Sequence, residues 1–154
     1  MSADHAVQPW TIRSTLIAVT DLERSVEFFA EVGPFNVIAR QDAVAVLGDV
    51  GTGSAVLILR ETRSLHQTRH GPQSLGLRSI TFNVGSLDEL DRVESVLRGR
   101  DRLTERRHVA VGASEIVRGR DPDNLPVTFV YYAADTADAD YYASILNLIY
   151  VMDA

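Results

Sequence analysis

Ser14-Thr15-Leu16-Ile17-Ala18-Val19-Thr20-Asp21-Leu22-Glu23-Arg24-Ser25-Val26-Glu27-Phe28-Phe29 reads as an alternating strand that runs through a capped turn into an amphipathic helix, and the chain contains this pattern twice. A shift of about 65 positions lays Ser79-Ile80-Thr81-Phe82-Asn83-Val84-Gly85-Ser86-Leu87-Asp88-Glu89-Leu90 over it, with Ser14 on Ser79, Val19 on Val84 and Leu22 on Leu87. Self-similarity at a fixed offset marks a repeated structural unit.

Side chains alternate across a strand, so Thr15, Ile17 and Val19 share one face while Ser14, Leu16 and Ala18 share the other. The second copy splits more sharply: Ile80, Phe82 and Val84 are apolar, and Ser79, Thr81 and Asn83 are polar. Each strand should therefore cover a helix with one face and turn the other to wetter surroundings. Asp21 and Ser86 are suited to cap the free amides of a first helical turn, and Glu23 and Asp88 stand where the helix dipole favours a negative charge. Leu22, Val26, Phe29 and Val32, and in the second copy Leu87, Leu90, Val93 and Leu97, follow the spacing of a buried stripe. Gly33-Pro34 and Gly99 supply the stops.

The chain has 154 residues, of which 45% are apolar, enough for one proper core or for two small lobes sharing a sheet. It has no apolar run long enough to span a bilayer, and its first residues lack the charged start and apolar stretch of a secretion signal. With no cysteine it has neither disulfides nor thiolate chemistry, and a cytoplasmic location is expected. All 15 basic residues are arginine, so Schiff-base chemistry on a lysine is excluded; GC-rich codon usage would account for the bias. A formal charge of -6 argues against nucleic acid as a partner. Arg98, Arg100, Arg102, Arg106 and Arg107 cluster locally, but Asp101 and Glu105 interrupt them, which suits a solvated helix end and loop.

In chain order, residues 1–12 read as a loose arm anchored by Trp10 and Ile12. The first module, residues 13–61, holds a strand near 13–19, a helix over 21–31 and strands near 35–40, 43–48 and 54–61. Residues 62–76 are polar, contain Gly71-Pro72 and read as a linker. The second module, residues 77–132, repeats the order with a strand at 77–84, a helix over 86–98 and strands near 104–111, 113–119 and 126–132. A tail over 133–154 has the pattern of a final helix, and its apolar residues from Tyr141 to Val151 call for a cover.

Two segments resemble the vicinal oxygen chelate superfamily, which includes glyoxalase I, fosfomycin-resistance transferases, extradiol dioxygenases and bleomycin-binding proteins. Asp21-Leu22-Glu23-Arg24-Ser25-Val26-Glu27-Phe28-Phe29 is similar to the family's helix-opening motif. Asp121-Pro122-Asp123-Asn124-Leu125-Pro126-Val127-Thr128-Phe129 is similar to its Asp-Pro-Asp-Gly hairpin, with Asn124 in place of Gly. The resemblance spans residues 13–132 and implies an α+β fold in which two βαβββ modules form an open, cup-shaped mixed sheet around a pocket. It also implies a homodimer, since two-module members commonly build their cups at a subunit boundary.

The family's metal chemistry uses a His on the first strand of each module and a Glu on the last strand. Carried over position by position, these fall at Ser14, Ser79 and Thr128, with Leu57 as the first-module counterpart of Thr128. Neutral hydroxyls and an alkyl group do not make a ligand set, so neither a metal nor any other cofactor is expected. His66 and His70 have the spacing of one helical face, but they lie in the linker without a carboxylate in the zinc-hydrolase pattern, so surface or interface histidines are the plainer assignment.

Strand parity places Ser14, Leu16, Ala18, Leu57, Leu59, Glu61, Ser79, Thr81, Asn83, Thr128, Val130 and Tyr132 toward the cavity. Arg118 joins them if its guanidinium holds a carboxylate or phenolate; the alternative is an ion pair with a neighbouring acid. This mixture of hydroxyls, one amide, one phenol and aliphatics suits a mid-sized organic ligand. The first expectation is a metal-free small-molecule binding protein that holds an antibiotic or biosynthetic intermediate. An alternative is a metal-independent isomerase, cyclase or lyase acting on a carbonyl compound, with Glu61, Glu115 or Tyr132 moving the proton. A structural or regulatory dimer built on the tail is the third.

Overall fold

The computed structural model describes residues 12–62, 77, 79–109 and 114–132. The elements are β1 (Thr15–Val19), α1 (Leu22–Val32), β2 (Phe35–Gln41), β3 (Val44–Asp49), β4 (Ala55–Glu61), β5 (Ile80–Asn83), α2 (Leu87–Gly99), β6 (Leu103–Val109), β7 (Ser114–Arg120) and β8 (Pro126–Tyr131). One strand, one helix and three strands occur twice, as the repeat requires. The arm, the linker and the tail lie outside the described residues, apart from Ile12, which is fully solvated rather than an anchor.

The caps form as their residue types dictate. The Asp21 carboxylate accepts from Arg24 N at 3.0 Å and the Ser86 hydroxyl from Glu89 N at 3.1 Å, which satisfies amides that have no partner within the helix. Gly33 N donates to Phe29 O at 3.0 Å and closes α1. Leu22, Val26, Phe28, Phe29 and Val32 bury one side of α1, and Leu90, Val93 and Leu97 one side of α2. Leu87, expected in the second stripe, is exposed at the first position of α2.

Each module makes a four-stranded mixed sheet, in the orders β1-β4-β3-β2 and β5-β8-β7-β6. In both, the first strand lies parallel to the last and the hairpins are antiparallel. The helix packs on one face of its own sheet; on the opposite face Leu16, Ala18 and Arg60 of the first sheet are exposed, while Ile116, Thr128 and Val130 of the second are 0–1% exposed. The result is an α+β fold of two βαβββ modules.

The helix-side cores merge into one cluster that takes residues from both halves. Phe82 joins them, with its ring centroid 5.5 Å from that of Phe35 and 5.6 Å from that of Phe129. Polar contacts add to the seam. Arg92 on α2 donates to Glu31 O at 3.0 Å and Val32 O at 2.7 Å, binding the free carbonyls at the end of α1. Buried Asp123 accepts from Thr20 N at 3.0 Å, tying the β7–β8 hairpin to the start of α1. That hairpin is shaped by Asp121, whose Oδ1 accepts from Asp123 N at 2.9 Å and Leu125 N at 2.8 Å. Asn124 occupies the left-handed region at φ 71°, which explains how an Asn can stand where the resemblance calls for Gly.

The basic cluster after α2 is paired rather than simply solvated. Arg106 reaches Asp91 at 2.6 Å and Glu94 at 2.8 Å, and Arg100 reaches Glu31 at 2.6 Å. Among the described residues, no helix is long and apolar enough to cross a membrane.

Candidate functional site

Residues paired across parallel strands point to the same face, so the register decides which side chains look away from the helices. In the first sheet Leu16 pairs with Ile58 and Ala18 with Arg60, while buried Ile17 pairs with Leu59. The open face of that sheet therefore carries Leu16, Ala18, Ile58 and Arg60. Val46 and Val44, the partners of Ile58 and Arg60 on β3, share it. Ser14 precedes β1 in step with Leu16.

Three expectations on β4 are corrected by this register. Leu57 and Leu59 do not face the open side; they are 1% and 0% exposed in the helix-side core. Glu61 pairs with Val19 on that same side, and its Oε2 accepts from Leu22 N at 3.2 Å, at the start of α1. β4 lies one residue out of step with the expected alignment, so the counterpart of Thr128 is Ile58.

The second sheet places its residues as parity requires. Thr81 pairs with Thr128 and Asn83 with Val130, while Phe82 pairs with Phe129 in the core. Ile116 and Arg118 on β7 pair with Val130 and Thr128 and share the open face, and Tyr132 packs with Ile116 and Val130 in a second small apolar cluster. Ser79, half-buried, precedes β5 in step with Thr81. Glu115 is the exception. It pairs with Tyr131 and His108 and lies on the helix side, with Oε2 3.4 Å from Arg106 Nε and Oε1 2.7 Å from His108 Nδ1. The two carboxylates expected to serve as bases are thus both committed on the far face from Tyr132.

The open faces differ in how they present charge. On the first sheet a recess of about 530 Å³ is lined by residues 39–41, by Val44, Val46 and Arg60 and by the β2–β3 turn. Arg60 is exposed to solvent there, whereas Arg40, one residue out of phase with Ala39 and Gln41, turns to the helix side and pairs with Glu23. On the second sheet Arg118 is partly buried, its side chain 14% exposed, with Nε 2.9 Å from Glu105 Oε1. Burial holds its guanidinium below the usual value; Glu105 opposes that shift, and Arg107 and Arg120 reinforce it. A smaller recess of about 60 Å³ opens between Thr104, Arg118, Arg120 and Thr128.

Sequence reasoning missed Val44, Val46, Ile58 and Arg60 on the first sheet, and Ile116, Glu105 and Arg107 on the second. β4 reads Ala-Val-Leu-Ile-Leu, apolar on both faces, and alternation carries no signal in such a strand. The equivalence of Ile58 with Thr128 is visible only through the register.

The structure resembles solved proteins over most of its length. A glyoxylase/bleomycin resistance protein/dioxygenase domain from Frankia sp. EAN1pec aligns with a TM-score of 0.69 at 22% identity, covering 84% of this chain and 96% of that one. The fold is that of the vicinal oxygen chelate superfamily. The fosfomycin resistance protein FosX from Listeria monocytogenes aligns with a TM-score of 0.64 at 16% identity over 84% of this chain and 98% of its own. Lactoylglutathione lyase from Agrobacterium tumefaciens aligns at 0.59 and 17%, over 80% of this chain and 94% of its own. No protein-family model matches the sequence, and no curated protein matches it.

The metal that this fold commonly carries does not suit the residues present. The positions implied by the vicinal oxygen chelate resemblance hold Ser14, Ser79, Thr128 and, by register, Ile58: three neutral hydroxyls and an alkyl group, which cannot replace the waters of a divalent ion. Among the described residues, no three of His, Asp and Glu stand close enough together to hold one. His5, His66 and His70 lie outside the described residues.

Proposed function

We propose that the chain is a small-molecule binding protein of the glyoxalase and bleomycin-resistance type, which holds an organic molecule on its open sheet faces without a metal. The observation that carries this is the replacement of the implied donor positions by Ser14, Ser79, Thr128 and Ile58 on faces that are otherwise intact. Binding needs shape, apolar contact and a few placed hydrogen bonds, and the outer face of the first sheet offers these through Val44, Val46, Ile58 and Arg60, while on the second sheet Tyr132 is half-buried over Ile116, Thr128 and Val130, which are 0–1% exposed. The larger recess falls within the roughly 300–1,000 Å³ typical of ligand pockets.

An isomerase, cyclase or lyase would need an acid or base at the ligand. Glu61 and Glu115 sit on the helix side, at the start of α1 and with Arg106 and His108, which leaves Tyr132 as the one remaining member of the expected proton-moving set.

The test is native mass spectrometry with metal analysis on the full chain, followed by thermal unfolding against a panel of aromatic antibiotics and polyketides. The expected result is no stoichiometric divalent metal, an unfolding temperature indifferent to EDTA, and a rise with at least one organic ligand. A stoichiometric divalent ion whose removal abolishes ligand binding would overturn the proposal.

A further inference from the structure

Arg118 is the most deeply desolvated guanidinium on either open face, and it is incompletely satisfied. Its Nη1 is buried and has no hydrogen-bond partner among the described residues. Its Nε lies 2.9 Å from Glu105 Oε1, yet that oxygen too has no hydrogen bond of good geometry, so the pair makes a single ionic contact rather than a two-pronged clasp. Glu105 is also shared, since Arg107 Nη2 approaches its other oxygen at 3.5 Å. Arg107 and Arg118 thus share one carboxylate, and Arg120 adds its positive charge near Arg118, a local excess of positive charge in a chain whose formal charge is -6. The acids that would neutralise such an excess are elsewhere: Asp91, Glu94 and Glu115 gather around Arg106 on the helix side.

We infer that the recess beside Arg118 receives the oxyanion head group, a carboxylate or phosphoryl group, of the molecule this protein binds. The inference rests on the small-molecule function proposed above and names the chemical class of ligand. A buried charged donor without a partner is destabilising, and an oxyanion in the recess beside the guanidinium offsets that penalty. The Thr104 and Thr128 side chains line the recess, whose volume of about 60 Å³ admits a head group and excludes a whole organic molecule. Tyr132, half-buried, continues along the same face, backed by Ile116 and Val130, which are 0% exposed. Arg60 on the other sheet is a poorer anchor, because its exposed guanidinium is hydrated and exchanges water for an anion with little net gain.

The experiment compares benzoate, benzamide and inorganic phosphate as probes on the full chain, by calorimetric titration and thermal unfolding. Benzoate and phosphate bind and benzamide does not; Arg118→Gln weakens benzoate on the order of tenfold or more. Glu105→Gln, which removes the competing carboxylate, strengthens it, and this opposite sign decides the matter if Arg118→Gln fails to fold. Equal binding of benzoate and benzamide, or loss of benzoate binding in Arg60→Gln with Arg118→Gln unaffected, overturns the assignment. Neutral aromatic ligands that bind the parent and Arg118→Gln alike would leave the small-molecule function standing and remove only the oxyanion. Phosphate binding without any organic ligand would do the reverse.

Discussion

β4 and β8 occupy the same place in the two repeats, yet their outward faces have opposite character. Ile58 and Arg60 on β4 correspond through the parallel register to Thr128 and Val130 on β8. Arg60 stands in solvent, whereas Val130 is 0% exposed. The cation of the second sheet sits one strand over, at Arg118, where the first sheet has Val46. A duplicated scaffold has kept its interior pattern while its two working surfaces separated into one that is wet and broadly apolar and one that is sealed and cationic.

The largest effect that breaks the comparison is an exchange of these equivalents. Val130→Arg buries an uncompensated charge and should cost more than about 4 kcal/mol, enough to unfold the chain, whereas Arg60→Val should stay within about 0.5 kcal/mol. Urea titration of both variants reads the difference; similar costs would mean that the two faces are alike after all. Next comes the parity of β4 itself. Leu59→Ala should cost about 2–5 kcal/mol as a core truncation, and Ile58→Ala, half-buried on the open face, about 1 kcal/mol. A reversed order would restore Leu57 and Leu59 to the ligand side.

The smallest effect concerns the seam that lets the faces differ. Arg92, which holds the end of α1, is itself held by Glu89 at 2.7 Å, and that hydrogen bond keeps the Glu89 carboxyl below its ordinary value of 4.5 against the opposing pull of partial burial. A carboxyl depressed in the folded state stabilises above its unfolded pKa and loses that contribution as pH falls through the folded value. Because the pair is more than a third exposed, Glu89→Gln should cost only a few tenths of a kcal/mol near neutrality, and the cost should vanish in acid below the depressed value. A pH series of unfolding midpoints on parent and variant tests this, and a gap that widened in acid would refute it.

Where the sequence had contrast, it predicted the fold. Asp21, Ser86 and the two helical stripes announced the helices, and the polar/apolar alternation of Ile80-Thr81-Phe82-Asn83 placed its strand the right way round. Thr128 and Val130 followed, because β8 could be aligned from the Asp121-Pro122 hairpin. β4 offered no such contrast: with aliphatic side chains on both faces, only the hydrogen-bond register decides that Ile58 and Arg60 look outward. Glu61 and Glu115 were strand carboxylates in plausible positions, but their roles depend on what packs opposite them, the first turn of α1 and the Arg106 cluster, and neither contact is local in the sequence. The Arg118 recess was half legible. Parity brought the guanidinium to the open face, but its unsatisfied nitrogen needed coordinates.

The aromatic relay of Phe35, Phe82 and Phe129 gives the repeats one interior in common, so neither half can be excised as a self-sufficient unit. That joint ownership also frees the exteriors: residues on one sheet's outer surface can be re-specified for a new guest without disturbing the support beneath the other. A chain built this way can alter its outer surfaces one at a time.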